Sequence, residues 1–254
     1  MITTETVSYS KDELLIVRAS REVADGDVVF VGIGLPNRAA NLAKQGHAPG
    51  ARLIYESGVY GAAPDRWPQS IGDPCLVVNA LAVHSMADLF LFYLQRGLID
   101  VGFLGAAQID PYANLNTTVI GAYERPTVRL PGSGGACEIA LLTRKIVITI
   151  PQTLRHFPAR LDFATSPGAR LPNGRIPDEA MPPRRPIVVI TDMAVFAIDP
   201  DETEMELRTL HPGVTLATLR QHMGWEPRVA ASVGTTEPPT ERELEIIRNQ
   251  ALVG

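Results

Sequence analysis

The feature that most constrains the fold is an alternation of short apolar segments, glycine-containing turns and amphipathic segments. Residues 28–34 (VVFVGIG) predict a buried strand that ends in glycines. Residues 36–45 (PNRAANLAKQ) then predict a helix with Pro36 in its first turn, and residues 51–56 (ARLIYE) predict the next strand. Parallel strands connected by helices produce this pattern. The sequence therefore predicts an α/β fold with an open, mostly parallel sheet flanked by helices.

The rest of the chain continues this pattern. Further strands are predicted within 99–110, 145–150 and 186–192. Helices are predicted at 11–24 with Ser10 as the N-cap, at 87–97 ending at Gly97, and after a capping box formed by Thr240 and Glu243. Residues 166–186 are rich in proline and glycine and predict a long loop. Because the strand after this loop continues the same style of sheet, we expect a single domain over residues 1–254.

Composition excludes several classes of function. The chain has 254 residues, a net charge of −5 and no run of basic residues, so no nucleic-acid binding is expected. The apolar runs are strand-sized and the N-terminal residues are polar and acidic, which predicts a cytoplasmic protein with no membrane association. Cys75 and Cys137 lack the spacing of a disulfide framework or metal site, and neither His84 nor His211 belongs to a metal-binding pair.

Three glycine-containing turns indicate where a ligand could bind. They lie at 32–36 (GIGLP), 56–61 (ESGVYG) and 131–136 (PGSGGA). In open α/β sheets, ligands bind beyond the carboxyl ends of the strands. None of the turns matches a dinucleotide fingerprint or a phosphate loop. The third precedes an apolar segment that can begin a helix, and backbone N–H groups at such a place can bind an anion or an oxyanion.

Glu56 is the one acidic residue within these three turns. It follows the apolar residues of a predicted strand and precedes Ser57 and Gly58. A glutamate at a strand end is commonly a solvated surface residue. It can also act as a general base, or as a covalent nucleophile that attacks an activated acyl group. A nucleophile would need N–H donors nearby to stabilise the oxyanion of its tetrahedral intermediate, and a second glycine turn can supply them.

Four motifs in register resemble one family. They are ESGVYGA, VGFLGAAQIDPYANLNTTVIG, RLPGSGGA and ATSPG, in this order. Together they resemble the B (beta) subunit of two-subunit class I coenzyme A transferases, in the branch that contains the glutaconate and 3-oxoadipate enzymes. The resemblance extends from VGIGLP to LHPGV and so covers most of the chain.

This resemblance implies a covalent mechanism. Glu56 matches the family's nucleophile, which attacks the donor acyl-CoA and passes through a mixed anhydride to a glutamyl-CoA thioester. Gly134 and Gly135, together with Ser133, match the glycine-rich loop that lends N–H groups to CoA and the oxyanion. Gln108 matches a loop lining the same site. Because burial would raise the pKa of Glu56, we expect hydrogen-bond donors that keep it ionised.

The resemblance also implies partners and substrates. It predicts a separate A (alpha) subunit in an A2B2 or AB assembly, with the active site at the A–B interface. The CoA thioester is a substrate, and no permanently bound cofactor or metal is expected. The donor is expected to be an acyl-CoA such as succinyl-CoA, and the acceptor a dicarboxylic acid such as 3-oxoadipate or glutaconate. The candidates for substrate selectivity are Ser57, Gly58 and Arg66, with Arg125 and Arg129 as further candidate cations.

Two other functions stay open. Some proteins of this fold hydrolyse CoA thioesters, including by ring opening, and Glu56 could activate water for such a reaction. A non-catalytic acyl-CoA-binding protein of sugar-phosphate-isomerase-like fold is the second alternative. The presence of Glu56 favours the transferase, because in the relatives with changed chemistry this glutamate is generally replaced.

Overall fold

A computed structural model describes residues 8–32, 34–171 and 185–251. Its helices are α1 (Lys11–Ser20), α2 (Leu35–Gln45), α3 (Met86–Asp88), α4 (Ala136–Leu142), α5 (Leu216–Arg220) and α6 (Glu241–Ala251), with a 3₁₀ turn at Pro74–Val77 and a π-helical segment at Leu89–Leu94. Its strands are β1 (Val28–Val31), β2 (Arg52–Tyr55), β3 (Val59–Ala62), β4 (Ala82–Val83), β5 (Val101–Gly105), β6 (Gln108–Ile109), β7 (Leu115–Asn116), β8 (Val119–Ala122), β9 (Arg125–Arg129), β10 (Lys145–Thr149), β11 (Ile187–Ile190), β12 (Ala194–Ile198), β13 (Glu206–Leu210) and β14 (Arg228–Thr235).

Ten of these strands form one open sheet among the described residues. Their order is β14-β13-β12-β11-β10-β5-β1-β2-β3-β4. The five central strands, from β11 to β2, are parallel. Antiparallel pairing adds β3 and β4 at one edge and β12 and β13 at the other, and β14 runs parallel to β13. The predicted open, mostly parallel sheet is confirmed, and the sequence patterns had not indicated its antiparallel edges.

The core lies on both faces of the central strands. Side chains of successive strand residues point to opposite faces, so Leu53 and Tyr55 pack with residues of α1 and α2. Ile54, between them, packs on the other face with Phe30 of β1, the π-helical segment and α4. Burial on both faces explains why these strands are continuously apolar rather than alternating in the sequence.

Helix α1 begins where the sequence predicts and ends earlier. Ser10 Oγ accepts a hydrogen bond from the Glu13 amide at 3.1 Å, and the Glu13 carboxylate accepts one from the Ser10 amide at 2.7 Å, which forms a capping box. The helix ends at Ser20 rather than at residue 24. After Ser20 the chain tightens into i→i−3 hydrogen bonds, from Glu22 to Ala19 and from Val23 to Ser20.

The predicted helix at 87–97 is only partly α-helical. It begins as α3 and continues as a π-helix with i→i−5 hydrogen bonds, such as the 2.9 Å bond from the Gln95 amide to the Phe90 carbonyl. The wider turn buries Leu89 and Leu94, five residues apart, on one face. Gly97, with φ of +66°, ends the segment as predicted.

The proline- and glycine-rich loop is described only at its two ends. Residues 172–184 of the predicted loop at 166–186 lie outside the described residues. At its start, Ser166 exchanges backbone hydrogen bonds with Leu115 of β7. The prediction of a single domain stays a prediction. No helix in the described ranges combines the length and the apolar character needed to cross a bilayer.

Helix α6 begins at the predicted capping box, and the glutamate of this box links α6 to Arg21, next to α1. The Thr240 amide donates to Glu243 at 2.7 Å, and the Glu243 amide donates to Thr240 Oγ1 at 3.3 Å. Arg21, directly after α1, donates two hydrogen bonds to the same carboxylate, at 2.8 and 3.0 Å. Burial raises the pKa of Glu243, but the hydrogen bonds from Arg21 and Thr240 outweigh it, so the pKa lies below its usual value.

This depressed pKa predicts a pH-dependent contribution to stability. The stabilisation is present above the unfolded-state pKa of about 4.3 and is lost as the pH falls through the lower folded-state pKa. We expect Glu243→Gln to lower Tm near neutral pH, and we expect the difference from the wild type to shrink below about pH 4. Differential scanning fluorimetry across this range checks it. Glu245→Gln, on the exposed side of the same helix, is the matched control and should show no such convergence.

Candidate active site

Glu56 lies at the carboxyl end of β2, in the turn that leads into β3. The turn is closed by a 2.9 Å hydrogen bond from the Gly58 amide to the Tyr55 carbonyl. Because β1, β2 and β5 are parallel, their carboxyl ends meet at one edge of the sheet. Glu56 is partly exposed there. The strand end therefore presents the carboxylate at the edge where open α/β sheets bind ligands.

The loop before α4 approaches this carboxylate closely. A Cβ atom built on Gly135 would lie 3.3 Å from Oε1 of Glu56 and only 2.3 Å from Cζ of Phe90. One built on Gly134 would lie 4.0 Å from the same Oε1, and Gly134 has a φ of +48°. Any side chain at position 135 would collide with Phe90. Glycine is thus what allows the backbone of this loop to pass beside Glu56.

The polar groups at this contact have unused hydrogen-bonding capacity. Within the described part of the chain, the Glu56 carboxylate forms no hydrogen bond or ion pair. In the same ranges, the amides of Gly134 and Gly135 donate to no acceptor. The donors that the sequence predicted to keep Glu56 ionised are therefore close to it but not bonded to it. An oxyanion formed on a group bound between them could accept both hydrogen bonds.

Two cavities share Glu56, Gly134 and Gly135 as lining residues. One, the β5 cavity, has a volume of about 490 Å³ and is walled mainly by apolar side chains of β1, β5 and α4, including Phe30 and Phe103. The other, the α3 cavity, has a volume of about 440 Å³. Its remaining lining residues are Met86, Ala87, Phe90 and Glu138. Glu56 therefore lies where two ligand-sized spaces meet.

The charge in both cavities is negative. Among the described residues that line them, only Glu56 and Glu138 are ionisable, and both are acids. No cluster of histidine, cysteine and acidic side chains suited to a metal ion occurs in the described ranges. The arrangement can position a nucleophilic carboxylate and stabilise an oxyanion, but the described residues that line the two cavities offer a second carboxylate no counter-charge.

Ser57 and Gly58 are the two residues directly after Glu56. The Ser57 hydroxyl is buried without a hydrogen-bond partner among the described residues. Gly58 has a φ of +116°, and a Cβ atom there would lie 2.1 Å from the carbonyl oxygen of His84. The Gly58 carbonyl accepts a 2.8 Å hydrogen bond from the His84 amide. Packing against the chain after β4 therefore accounts for Gly58, and selectivity roles for both residues stay predictions.

We expect Gly58→Ala to destabilise the fold by about 3 kcal/mol, because a side chain there combines a left-handed backbone with overlap on a backbone oxygen. Chemical denaturation measures the loss. Gly26→Ala is the matched control, since Gly26 has a φ of +88° but no atom within 4 Å of the added Cβ. It should cost only the backbone strain of about 1 kcal/mol. Equal losses in the two variants would contradict the packing role.

Gln108 lies outside the two cavities. Its amide nitrogen donates to Asp162 at 2.8 Å, and its carbonyl oxygen accepts from Asn116 at 2.7 Å and from the Asp162 amide at 3.1 Å. The same motif contains Asp110, whose pKa is raised by burial and which accepts hydrogen bonds from Asn114. In this chain the motif forms a buried, hydrogen-bonded loop, and the hydrogen bonds of Gln108 stabilise it.

The arginine candidates also lie away from the two cavities. Arg66 donates hydrogen bonds of 2.7 and 2.8 Å to Asp73, and these bonds hold the pKa of the Asp73 carboxyl below its usual range. Arg129 lies over the ring of Tyr123, with Cζ 4.9 Å from its centroid. Arg125 is exposed at the start of β9. None of the three lines a cavity that contains Glu56.

The two cysteines are poorly suited to nucleophilic chemistry. Burial raises the pKa of Cys75 to about 11. Burial and the neighbouring Glu138 raise the pKa of Cys137 above its usual value. A thiol is nucleophilic as the thiolate, so both remain largely unreactive near neutral pH. Neither cysteine lines a cavity that contains Glu56, so Glu56 is the nucleophile candidate of this site.

Sequence reasoning missed two of the residues around Glu56. Phe90 packs under Gly135, with its ring 5.7 Å from that of Phe30, and the period of an α-helix gave no reason to select it. Glu138 lines the α3 cavity three residues after Gly135, in the first turn of α4. Its position next to the PGSGGA turn was a signal that could have identified it.

Comparison with known proteins identifies the family of this chain. Residues 13–221 match the family model described as coenzyme A transferase. The chain is 44% identical to the B subunit of the 3-oxoadipate CoA-transferase of Pseudomonas knackmussii, over 95% of this chain and 93% of that one. It is 31% identical to the B subunit of the glutaconate CoA-transferase of Acidaminococcus fermentans, over 96% and 92% of the two chains.

Solved structures give the same result. The crystal structure of the Acidaminococcus fermentans glutaconate CoA-transferase superposes with a TM-score of 0.86 at 30% identity, covering 96% of this chain and 95% of that one. The decarboxylase AibA/AibB has the same fold, with a TM-score of 0.82 at 25% identity over 95% and 94% of the two chains. The fold thus occurs with more than one chemistry. By sequence and by structure, this chain belongs to the coenzyme A transferase family and resembles the B subunits of its two-subunit enzymes.

Proposed function

We propose that this chain is the B subunit of an enzyme that moves CoA from an acyl-CoA to a carboxylic acid through a thioester on Glu56. One observation carries the proposal. A carboxylate without a partner among the described residues lies beside the unused amides of Gly134 and Gly135, at the meeting point of two cavities. A nucleophile, its oxyanion donors and space for two substituents are what acyl transfer requires.

The mechanism follows from these groups. An oxygen of Glu56 attacks the thioester carbonyl, and the tetrahedral oxyanion accepts hydrogen bonds from the Gly134 and Gly135 amides. The C–S bond breaks, which leaves a mixed anhydride and the CoA thiolate. The thiolate then attacks the anhydride at the Glu56 carbonyl, and the first acid leaves as a carboxylate. A second carboxylate reverses these steps and departs as the new acyl-CoA. The thioester is conserved, so no external energy source is needed.

For the substrates, we propose a dicarboxylic acid acceptor, with 3-oxoadipate as the first candidate and succinyl-CoA as a donor. The 44% identity to one chain of a 3-oxoadipate CoA-transferase supports this choice. The distal carboxylate of such an acid needs a cation, and the described cavity-lining residues include none. We therefore assign that cation to the A subunit, in an A2B2 or AB assembly. The names of the relatives, which are B subunits, support the existence of that partner.

Trapping the thioester tests the mechanism. The chain, co-expressed with its A subunit, is incubated with a panel of acyl-CoAs that includes succinyl-CoA and is then treated with borohydride. Mass spectrometry of the peptide that contains residue 56 should show a reduced side chain, absent from Glu56→Gln. An unmodified Glu56 together with release of free CoA would instead identify a hydrolase. Binding of acyl-CoA with neither exchange nor release would identify a non-catalytic binding protein.

A further inference from the structure

A hydrogen-bonded network of buried side chains includes the residue directly before Glu56. Tyr55, the last residue of β2, is fully buried. Its hydroxyl donates a 2.6 Å hydrogen bond to Oδ1 of Asn37 and accepts one of 3.0 Å from Nδ2 of Asn41. The same nitrogen of Asn41 also donates to Oδ1 of Asn37 at 2.9 Å. We call these three residues the Tyr55 network. The mechanism described above uses none of their side chains.

The Tyr55 network places polar groups in an apolar part of the core. Asn37 and Asn41 are 2% and 1% exposed and lie one turn apart on α2, among buried alanines of the same helix. Burial raises the pKa of Tyr55 far above its usual value, so the phenol stays protonated and can keep donating its hydrogen bond. Buried polar groups that are bonded to one another select a single arrangement of the elements that they join.

The network connects three segments that each form part of the wall of the β5 cavity. Tyr55 belongs to the end of β2, and the two asparagines belong to α2. The third segment is the loop after β3, because Nδ2 of Asn37 donates a 3.0 Å hydrogen bond to the carbonyl oxygen of Pro68. All three segments contribute lining residues close to the network, namely Glu56 after β2, Leu35 and Pro36 at the start of α2, and Ile71 in the loop.

Glu56 depends on such support because its own side chain has none. Within the described residues the carboxylate forms no hydrogen bond or ion pair, so its position follows from the backbone at the end of β2. The partner loop is already close, since a Cβ atom on Gly135 would lie 3.3 Å from Oε1 of Glu56. A displacement of about 1 Å from a productive geometry can lower a reaction rate about 10²-fold.

We propose that Tyr55 and Asn37 are positioning residues for the nucleophile, whose hydrogen bond holds the turn at Glu56 at the distance from the glycine-rich loop before α4 that attack requires. This inference rests on the proposed function for the role of Glu56. Neither positioning residue lines a cavity that contains Glu56, so both act through the backbone rather than by contact with a substrate. The complete burial of the bond and its connection to the other two segments of the wall support the proposal.

Removal of one hydroxyl group tests it. Tyr55→Phe keeps the ring, and we expect kcat for CoA transfer by the assembled enzyme to fall by about 10- to 10²-fold while KM changes by less than about threefold. Thr236→Val is the matched control, because it removes a buried hydroxyl that is bonded to Thr209 and His211 at the far edge of the sheet. It should lower Tm by a similar amount and leave kcat unchanged.

Hydrogen exchange examines the same turn without turnover. The Gly58 amide, bonded to the Tyr55 carbonyl at 2.9 Å, should exchange at least about tenfold faster in Tyr55→Phe than in the wild type, and faster than in Thr236→Val. Unchanged kcat in Tyr55→Phe, equal losses of kcat in the two variants, or unchanged exchange at Gly58 would each overturn the proposal. A wild-type assembly that transfers no CoA would contradict the proposed function instead, and exchange at Gly58 would then decide whether the network holds the turn.

Discussion

Replacing Glu56 by glutamine should lower the rate of CoA transfer by at least about 10³-fold, since the amide cannot attack the thioester carbonyl. The fold should be unaffected, because the carboxylate makes no hydrogen bond within the described residues and the side chains are nearly isosteric. Transfer between succinyl-CoA and 3-oxoadipate, followed with the assembled enzyme, measures the loss.

Glu138→Gln is the matched control for this variant. It removes the other carboxylate on the lining of the α3 cavity but leaves the nucleophile candidate intact. We expect a change in rate of less than about tenfold, because Glu138 takes no part in bond formation. Similar losses in the two variants would contradict a covalent role specific to Glu56 and would point to the shared charge of the cavity instead.

Gly135→Ala should lower the transfer rate by about 10²- to 10³-fold, the range observed when one oxyanion donor is lost. The added methyl group would lie 2.3 Å from the Phe90 ring and 3.3 Å from Glu56 Oε1, so the ring or the loop must move, and we expect the loop amides to be displaced from the carboxylate. The loss should appear mainly in kcat, because the amides stabilise the transition state more than the bound substrate. Steady-state kinetics of the assembled enzyme gives both constants.

Two further variants separate the causes of this loss. Gly72→Ala is the matched control, because a Cβ atom there has no atom within 4 Å, and it should leave the rate unchanged. Phe90→Leu combined with Gly135→Ala removes the ring that forces the displacement but keeps the methyl group beside Glu56. Recovery of a large part of kcat in the double variant would support displacement of the amides. Wild-type kcat in Gly135→Ala alone would refute their role.

How much of this could be predicted differs between the sheet and its edges. The central strands were predictable because burial on both faces leaves an unmistakable run such as Leu53 to Tyr55, followed by a glycine turn. The capping boxes at Ser10 and Thr240 were predictable because a cap is a local arrangement of a few residues. The antiparallel strands β3 and β4 were not, because strand pairing is a long-range property and β4 has only two residues.

The site shows the same division. Glu56 and the two glycines could be selected because each is required by chemistry or by backbone geometry at its own position. Their proximity depends on the end of β2 and the loop before α4 meeting at one edge of the sheet, although the two are about eighty residues apart in the sequence. Arg66 could not be judged in this way, because no local pattern in the sequence showed that its guanidinium group is hydrogen-bonded to Asp73. The pairing of side chains is what a sequence pattern predicts least well.

The π-helical segment makes the site depend on how many residues the segment contains as well as on which residues they are. A π-helix brings residues five apart onto one face, where an α-helix would bring residues three or four apart. Removal of one residue between Phe90 and Leu94 would restore α-helical spacing and leave Leu89 and Leu94 four positions apart, still on the face that packs in the core. The segment can therefore lose one residue by changing its helix type while both leucines stay buried. Such a change would instead alter the placement of the side chains between them, among which Phe90 packs against Gly135.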